Sequence, residues 1–479
     1  MAISFNSPAD VAVATQHNWI GSNAAYNLIK PQIDPKEAKV WGTQDLTGLM
    51  EMLGGKNYIA GISYRHMEED RLHQIVVATN ATTNTIGSDV TYTVVSTNYM
   101  AGFNSTAVEP YLAGSAWPST AVANLMPVRV NEVLLFPNGA QGLVKSVDAS
   151  NHLFVCISTN GVILPNTTSS DNIINLGVTV GEGKDMPTSF NFRENVYYNM
   201  AEIMEDAHQA TGTSLGEQTW QTYEWKGQTK AVWWFKGQSG TFRRFRNFRE
   251  LKLVTGNKVT STSTAAATYD PTLVRTEGLI PFSSSYNSAT SFNLSSGLTL
   301  DDWQTLTIDS IDKNAGTSEY AVWEAISVRQ ATESFIRVEM KNGGVQYGAF
   351  SGGEKQAVDF GFTSFATLGY TFHLFTYQPF NNPTTLGAAG HSYSNLALFI
   401  PMNKEIYAIG EQKQKTEVPS IRVNYVNNEF NREWEEFLTG GTGGVYTNTT
   451  DTIQINFRSH AGFEGFGANR FCTLQGTNA

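Results

Sequence analysis

Between Tyr58 and Gly177 the chain is a succession of short runs rich in β-branched and aromatic residues, and this pattern constrains the fold more than any other. Turn residues such as Pro137-Asn-Gly-Ala140 separate the runs. Short runs at this spacing are typical of antiparallel strands, and several in succession favour a small barrel or sandwich. The predicted strands are Gln74–Ala78, Val90–Ser96, Val128–Phe136, Gly142–Asp148 and His152–Ser158.

Helical patterns are grouped in the middle of the chain. Apolar residues recur at helical spacing in Phe192–Ala210, and Glu217–Gly256 is predicted to be a second helix-rich segment. The end of this second segment places four apolar residues three positions apart, so that their stripe would wind obliquely around a helix capped by Gly256. These residues are Phe242, Phe245, Phe248 and Leu251.

The rest of the chain adds two helical patterns and further strands. Thr43–Leu53 is predicted to be a short helix within a polar N-terminal arm, and Thr299 is the predicted N-cap of a helix that starts at Leu300. This order of elements indicates an α+β protein rich in strands. The later predicted strands are Tyr320–Trp323, Phe335–Met340, Tyr370–Phe375, Ser394–Ile400, Ser420–Tyr425 and Thr452–Phe457.

Composition excludes several classes of protein. Charged residues are 16% of the 479 residues, against about a quarter in an average soluble domain, so the surface depends on neutral polar groups. The formal net charge of −11 argues against broad binding to phosphate backbones, whose affinity comes from Lys and Arg. Cys156 and Cys472 are neither a disulfide framework nor a zinc cluster. Without a visible secretion signal or a long apolar run, we expect a soluble protein made in a cytosol.

One short segment has the spacing of a metal site. On a helix, His66, Glu69 and His73 would share one face. Strand-like residues on both sides, and the lack of a third group of ligands, favour instead a charged loop at the surface or at an interface. We therefore predict no metal here.

Two other segments resemble nucleotide or calcium loops only superficially. In Gly177–Asp185, the first glycine is one residue too early for a phosphate loop, and Asp185 replaces the Ser or Thr that would hold magnesium. Asp309 and Asp312 could supply calcium ligands, but Trp323 lies where such a loop needs its bidentate Glu. The sequence predicts no catalytic residues and no cofactor, and hence no enzyme.

The strongest charge feature is a basic stripe between the phenylalanines of the second helical segment. It could contact phosphates, pair with an acidic segment of a neighbouring subunit, or simply face solvent. The planar guanidinium group pairs bidentately with carboxylates, which favours a defined interface with the segment Glu68-Glu69-Asp70. The candidate interface residues are Arg243, Arg244, Arg246, Arg249, Glu68, Glu69 and Asp70.

The order of segments and short phrases resembles a known family. Its landmarks are the arm, the β-rich region, the Phe-Arg helix, Thr276-Glu-Gly-Leu-Ile-Pro281, Leu298-Thr-Leu-Asp-Asp-Trp303, Arg422, Arg432-Glu-Trp434, Gly440-Gly-Thr-Gly-Gly444 and Glu464. This series is similar to the major capsid proteins of tailed double-stranded DNA bacteriophages (Caudoviricetes), which have the Hong Kong 97-type fold. Within that family it looks most like those of crAss-like phages.

The resemblance implies a structural protein that self-assembles into the icosahedral head around the phage genome. The expected organisation is an N-terminal arm (1–57), an extended loop with a β-rich inserted domain (58–186), peripheral-domain helices with the spine helix (187–269), an axial domain (270–431) and a return to the peripheral domain (432–479). Phe242, Phe245, Phe248 and Leu251 would then pack the spine helix on the peripheral sheet.

The resemblance also implies partners and a location. The chain would contact itself in hexamers and pentamers, as well as portal, scaffold and auxiliary or decoration proteins, and would touch packaged DNA non-specifically, without a membrane. It would assemble in the bacterial cytoplasm and reside in the virion. Two alternatives stay open: another virion component, such as a decoration, tail or receptor-binding module, and a carbohydrate-active enzyme with aromatic platforms such as Trp233-Trp234.

Overall fold

The computed structural model describes residues 49–50, 55–68, 75–80, 82, 84–94, 126–148, 150–183, 186–187, 195–216, 222–225, 228–260, 263, 268, 270, 272–286, 290–293, 296–342, 364–402, 404–409, 414–441 and 449–477. They fold as an α+β protein, as predicted. Two compact units contain them: one includes Glu205–Asn247 and Glu436–Phe457, and the other includes Leu46–Met204, Phe248–Glu435 and Arg458–Ala479.

The strands and helices of the described residues have the following bounds. In chain order the strands are β1 Gly55–Ile59, β2 Ser63–Glu68, β3 Ile75–Val76, β4 Ala78–Thr79, β5 Val90–Val94, β6 Glu132–Leu135, β7 Gln141–Asp148, β8 Leu153–Ser158, β9 Ile173–Val178, β10 Asn195–Met200, β11 Glu202–Thr211, β12 Thr222–Trp225, β13 Gln228–Ala231, β14 Thr290–Asn293, β15 Glu319–Glu324, β16 Ser364–Thr367, β17 Tyr370–Thr376, β18 Leu396–Pro401, β19 Lys404–Ile409, β20 Gln414–Pro419, β21 Ile421–Val426, β22 Glu435–Gly440, β23 Thr452–Gly465 and β24 Cys472–Thr477. The helices are α1 Gly212–Gly216, α2 Val232–Thr255, α3 Leu279–Tyr286, α4 Leu300–Leu306 and α5 Ile326–Asn342.

The β-rich region forms a small barrel. Its sheet has the order β3-β9-β6-β7-β8-β5-β4. Because β3 and β4 are consecutive in the chain, with only Val77 between them, the two ends of the sheet meet and close it. Tyr92, Phe136 and Phe154 fill the interior, with ring centroids 5.1 and 5.4 Å from Tyr92. Of the two folds that the sequence predicted, a small barrel or a sandwich, this region forms the barrel.

A six-stranded sheet, β14-β24-β18-β15-β17-β16, carries the largest aromatic core. Thr299 caps α4 through a capping box with Asp302, as the sequence predicts. A π turn, Thr307–Ile311, and a 3-10 turn, Asp312–Asn314, continue this helix. Trp303 lies at the centre of the core with no exposed surface.

The predicted strand Phe335–Met340 is wrong, because these residues belong to helix α5. Their local alternation of apolar and polar residues imitates a strand. Over a longer window, Val328, Phe335 and Ile336 lie at offsets of seven and eight, which places them on one face of a helix. That face is buried in the core of the six-stranded sheet.

The predicted helix Phe192–Ala210 is also wrong, because the chain forms β10 and β11 there. Along β11, burial alternates from residue to residue: Glu202 and Met204 are buried, and Ile203 is half exposed. Residues four apart, such as Met200 and Met204, share a face in a strand as well as in a helix. The spacing that indicated a helix therefore fits a strand equally well.

The second helix-rich segment is only partly helical. The hairpin β12–β13 occupies its first part, with Trp225 paired to Gln228, and α2 begins only at Val232. In the sequence Gly227 stands between the two strands, and glycine is a residue type that favours turns and disfavours helices. At the other end the prediction is confirmed: α2 ends at Thr255, and the Gly256 N–H donates to the Lys252 carbonyl at 2.8 Å.

The third large sheet has the order β1-β21-β23-β11, with β22 also paired to β23. β1 is parallel to β21, and β21 is antiparallel to β23. Among the described residues, the later predicted strands within β15, β17, β18, β21 and β23 are confirmed. Of the predicted helix Thr43–Leu53, only Leu49 and Met50 are described, and both are helical.

Candidate functional site

The apolar stripe of α2 is divided between buried and exposed positions. Phe245 is 1% exposed, and its ring centroid lies 6.2 Å from that of Phe457 on β23; the Phe242 ring lies 5.4 Å from the same residue. Phe248 keeps 48% of its surface exposed, and Leu251 is partly buried. Steps of three residues rotate the stripe around the helix, so that one sheet contact cannot cover it all.

The arginines of α2 have different environments. The Arg244 guanidinium donates to both carboxylate oxygens of Asp206 on β11, at 2.8 and 2.7 Å, and this pairing raises the pKa of Arg244. Arg249 is 6% exposed and lies 3.8 Å above the ring of Trp434. Arg243 and Arg246 are partly buried. Arg244 and Arg249 are thus engaged within their own chain.

The acidic candidate is engaged within the chain as well. Glu68 accepts a hydrogen bond from the Gly467 N–H at 2.7 Å and lies 3.1 Å from Nε2 of His66. Although burial opposes ionisation, these contacts lower the pKa of Glu68. The other two acidic candidates, Glu69 and Asp70, lie outside the described residues.

The metal and nucleotide segments can be placed only in part. His66 lies on strand β2, while Glu69, His73, Lys184 and Asp185 fall outside the described residues. Within the described ranges, no group of three His, Cys, Asp or Glu side chains could hold a metal ion. In the same ranges, no helix is both long and apolar enough to span a membrane.

The best-defined ionisable cluster surrounds Glu464 on β23, whose side chain is 1% exposed. His66 Nδ1 lies 2.9 Å from its Oε1, while Arg422 Nε and Asn424 Nδ2 each donate to its Oε2 at 2.6 Å. These partners come from β2 and β21, and Arg422 is the register partner of Glu464 across β21 and β23. The cluster therefore joins three strands through one carboxylate.

Electrostatics favours the ionised forms of the groups in this cluster. Burial alone would raise the pKa of Glu464, but hydrogen bonds from His66 and Arg422 lower it to about 2. The same carboxylate, together with Glu68, raises the pKa of His66 in spite of its burial. The imidazole also lies between aromatic rings, 4.9 Å from Tyr197 and 4.4 Å from Phe466. Such a buried, fully bonded arrangement fixes strands in register.

The segment Thr276-Glu-Gly278, one of the landmarks of the family resemblance, lies next to this cluster and links neighbouring segments of the chain. The buried Thr276 hydroxyl accepts from the Phe463 N–H at 3.0 Å and from Asn199 Nδ2 at 3.2 Å. Asn199 in turn accepts from the Glu277 N–H at 2.9 Å. A Cβ on Gly278 would lie 2.7 Å from the backbone N of Gly256, so this residue lets the segment approach the end of α2 closely.

A second buried carboxylate, that of Glu324, has a raised rather than a lowered pKa. Glu324, at the end of β15, has no exposed surface, and burial raises its pKa to about 7. Arg329 donates to it at 3.2 Å, but the same guanidinium also binds Glu333 at 2.9 Å. The cation is therefore shared, and it offsets only part of the cost of burying the Glu324 charge.

Glu324 should make stability fall with rising pH. Its pKa is raised in the folded state, so its contribution is fully present below about pH 4.5 and is lost as the pH rises to about 7. The total is roughly 3 kcal/mol. Glu324→Gln should remove this slope in urea unfolding followed by tryptophan fluorescence from pH 5 to 8. Glu319→Gln, exposed on the same strand, should keep it; an unchanged slope in Glu324→Gln would contradict the assignment.

Sequence reasoning missed the role of Glu464 and its partners. The signal was present: Glu464 interrupts the apolar run Ala461–Phe466, and Arg422 and Asn424 alternate with apolar residues on one strand. A charge in a buried strand needs a paired charge and hydrogen bonds, so these positions predict a partner. The sequence pattern could not show which residue the partner would be.

Large apolar side chains are exposed at several separate places in the described residues. They include Ile174 on the barrel at 52%, Ile326 at the start of α5 at 58%, Phe430 after β21 at 66% and Leu438 on β22 at 61%. Single exposed apolar residues are ordinary. Here they stand on different elements, which provides several possible contact surfaces.

Neither a protein-family model nor a curated protein sequence matches this chain. The capsid structure of cyanophage P-SCSP1u is similar to it at 7% identity over 99% of both chains, with a TM-score of 0.41. A chain of Mycobacterium phage Bobi gives 6% identity over 96% of this chain and 99% of its own, with a TM-score of 0.40. The holo-SrpI encapsulin of Synechococcus elongatus PCC 7942 gives 12% identity over 60% and 75%, with a TM-score of 0.30.

Proposed function

We propose that the protein is a major capsid protein of a tailed double-stranded DNA phage, of the Hong Kong 97-type fold and closest to those of crAss-like phages. In this role it is a structural subunit that self-assembles into the icosahedral head around the genome. The proposal rests on the family resemblance of the sequence. It assigns the chain a structural role and no enzymatic one.

The observation that carries the proposal is the spread of exposed apolar side chains over separate elements. A shell of identical subunits needs heterologous contacts, in which different surfaces of one copy meet different surfaces of its neighbours. Ile326, Phe430 and Leu438 offer such surfaces on a helix, a loop and a strand. The ionisable groups with the most contacts are instead buried, where they support the fold.

The elements suit the proposed parts of the subunit. Helix α2 is the candidate spine helix of the peripheral domain (187–269), and the barrel is the candidate inserted domain within 58–186. The six-stranded sheet with α5 would form most of the axial domain (270–431), although its strand β24 comes from the last segment (432–479). The other long strand of that segment, β23, would return to the peripheral domain. The arm (1–57) would reach neighbouring copies.

The proposed partners follow from the role. Other copies in hexamers and pentamers are the main partners, with portal, scaffold and auxiliary or decoration proteins around them. A net charge of −11 suits a wall that encloses DNA without holding it tightly, because few cations are available to displace counterions. The site of action is the virion, after assembly in the bacterial cytoplasm.

The test is assembly of the purified chain. We expect curved sheets, hexamers or closed shells in negative-stain microscopy, with matching fast-sedimenting species, for the chain alone or with the scaffold encoded beside it. A species of 52.6 kDa under all these conditions would contradict the proposal. Binding to a receptor glycan by such a monomer would favour the alternative of another virion component. Glycan turnover lost on a single Asp or Glu substitution would favour the enzyme.

A further inference from the structure

The barrel has apolar residues on both faces of its strands. The inward side chains include Val76, Leu134 and Ile173, all with no exposed surface. The neighbours Ile75 and Ile174 point outward and are 46% and 52% exposed. Strands that are apolar on both faces are typical of sheets that are covered on both sides.

The register joins the outward residues into one surface. Ile75 pairs with Ile174, and Ile174 pairs with Leu135 across three neighbouring strands. A second row follows beside it in β6, β7 and β8: Val133 pairs with Leu143, and Leu143 with Ile157. Leu176, 51% exposed, continues the first row along β9. We call this set the outer apolar face; it consists of Ile75, Val133, Leu135, Leu143, Ile157, Ile174 and Leu176.

All seven members of the outer apolar face are uncharged, and the exposed Lys145, two positions after Leu143 on β7, is paired with Asp89 at 2.6 Å. Isolated apolar residues on a surface need no explanation, but a contiguous set of them marks a contact site. The chain has a net charge of −11, so two copies carry a like net charge and repel each other at a distance. On a neutral apolar face, two copies can approach without this electrostatic repulsion.

We propose that the outer apolar face binds the same face of a second copy of this chain. In an isologous contact each residue meets the same patch of its partner, so a charge near the axis would face a like charge. A patch without charges is suited to such self-pairing. Burial of half-exposed Ile174 and Leu176 would supply the driving force.

The size of the face indicates how the contact is used. Seven side chains, most of them already partly covered, offer less than the roughly 800 Å² per partner of a stable complex. The contact would therefore be weak in isolation and would add to others between copies. This use in a shell rests on the proposed function, whereas the pairing itself rests on the strand register.

Cross-linking through one introduced thiol tests the pairing in the full chain. The native thiols should not react with maleimide, because Cys156 and Cys472 are both buried and burial raises the pKa of Cys156 to about 12. Ile174→Cys and Leu176→Cys place a thiol on the face. Ile86→Cys, 65% exposed in a turn of the same barrel, is the matched control. Each variant is treated with a short bismaleimide, and dimers are quantified on denaturing gels.

We expect at least fivefold more dimer from the two face variants than from Ile86→Cys. Adding Leu135→Glu to Ile174→Cys should reduce the yield to the level of the control, with unchanged circular dichroism. Equal yields at all three positions would overturn the proposal, whether another protein is the natural partner or none exists. A thiol at position 174 that does not react with maleimide would overturn it as well, because the chain's own residues would then cover the face. Shell formation by the unmodified chain, measured separately, decides the proposed function.

Discussion

Replacing Glu464 with glutamine is expected to lower the free energy of unfolding by about 3 kcal/mol, because it removes one charge from a buried ionic cluster. Arg422 would keep its positive charge without the carboxylate 2.6 Å away, and His66 would lose a partner, 2.9 Å away, that raises its pKa. The amide also presents a donor to Asn424 Nδ2 or to its other partners, so at least one hydrogen bond is lost. Urea unfolding at pH 7 measures the difference.

The pH dependence of this variant has a definite sign. The pKa of Glu464 is lowered to about 2 in the fold, so its stabilisation is present above about pH 4.5 and is lost as the pH falls towards 2. His66 has a raised pKa, so its contribution is present below about pH 6.5 and declines as the pH rises through the folded pKa. Acid should therefore destabilise the wild type more steeply than Glu464→Gln.

Glu429→Gln is the matched control, since Glu429 is an exposed carboxylate on the turn that follows the strand of Arg422. It should change the free energy of unfolding by less than about 0.5 kcal/mol. If Glu464→Gln were equally harmless, the three strands would have to be held in register by other contacts, and the cluster would not be the element that joins them.

Sequence periodicity predicted the barrel because its pairing is mostly local. Strands β6, β7 and β8 follow one another through short turns, and alternate residues such as Val144 and Cys156 face one interior. Long-range pairing leaves no such trace. β1 pairs with β21 and β2 with β10 across large stretches of sequence, so neither pair could be predicted from its own residues.

The two wrong predictions, the helix Phe192–Ala210 and the strand Phe335–Met340, came from patterns read over too few residues. Met200 and Met204 fit both a helix and a strand, and only the pairing of β10 with β2 decides between them. In α5, six residues alternate as in a strand, but burial of Phe335 and Ile336 against the six-stranded sheet favours the helix. Tertiary packing commonly overrides local propensity in this way.

The candidate site was less predictable than the fold. His66 and Glu464 are 398 positions apart, and no spacing rule applies at that distance. The arginine stripe could be recognised in the sequence. The sequence does not show which guanidinium has a carboxylate acceptor, because that depends on the strand that packs against it. Asp206 supplies that acceptor for Arg244, and Arg249 packs on Trp434. The remaining candidate contacts between copies stay predictions.

Trp303→Ala is expected to lower the free energy of unfolding by about 3 to 5 kcal/mol, the range for removal of a large buried aromatic side chain. Trp303 has no exposed surface, and Phe365, Phe372 and Phe399 surround its ring at centroid distances of 4.9, 5.1 and 5.1 Å. These neighbours belong to β16, β17 and β18, so the cavity would open between three strands of one sheet. Thermal and urea unfolding would both report the loss.

Trp303→Phe separates the packing from the polar group of the same side chain. Its Nε1 is buried with no hydrogen-bond acceptor among the described residues, so phenylalanine removes an unsatisfied donor while it keeps most of the aromatic contacts. We expect a loss of about 1 to 2 kcal/mol, well below that of alanine. Under the proposed function, the phenylalanine variant should also form shells, because this tryptophan supports the core rather than a contact between copies. A folded Trp303→Phe variant that cannot assemble would instead make the geometry of this core a determinant of assembly.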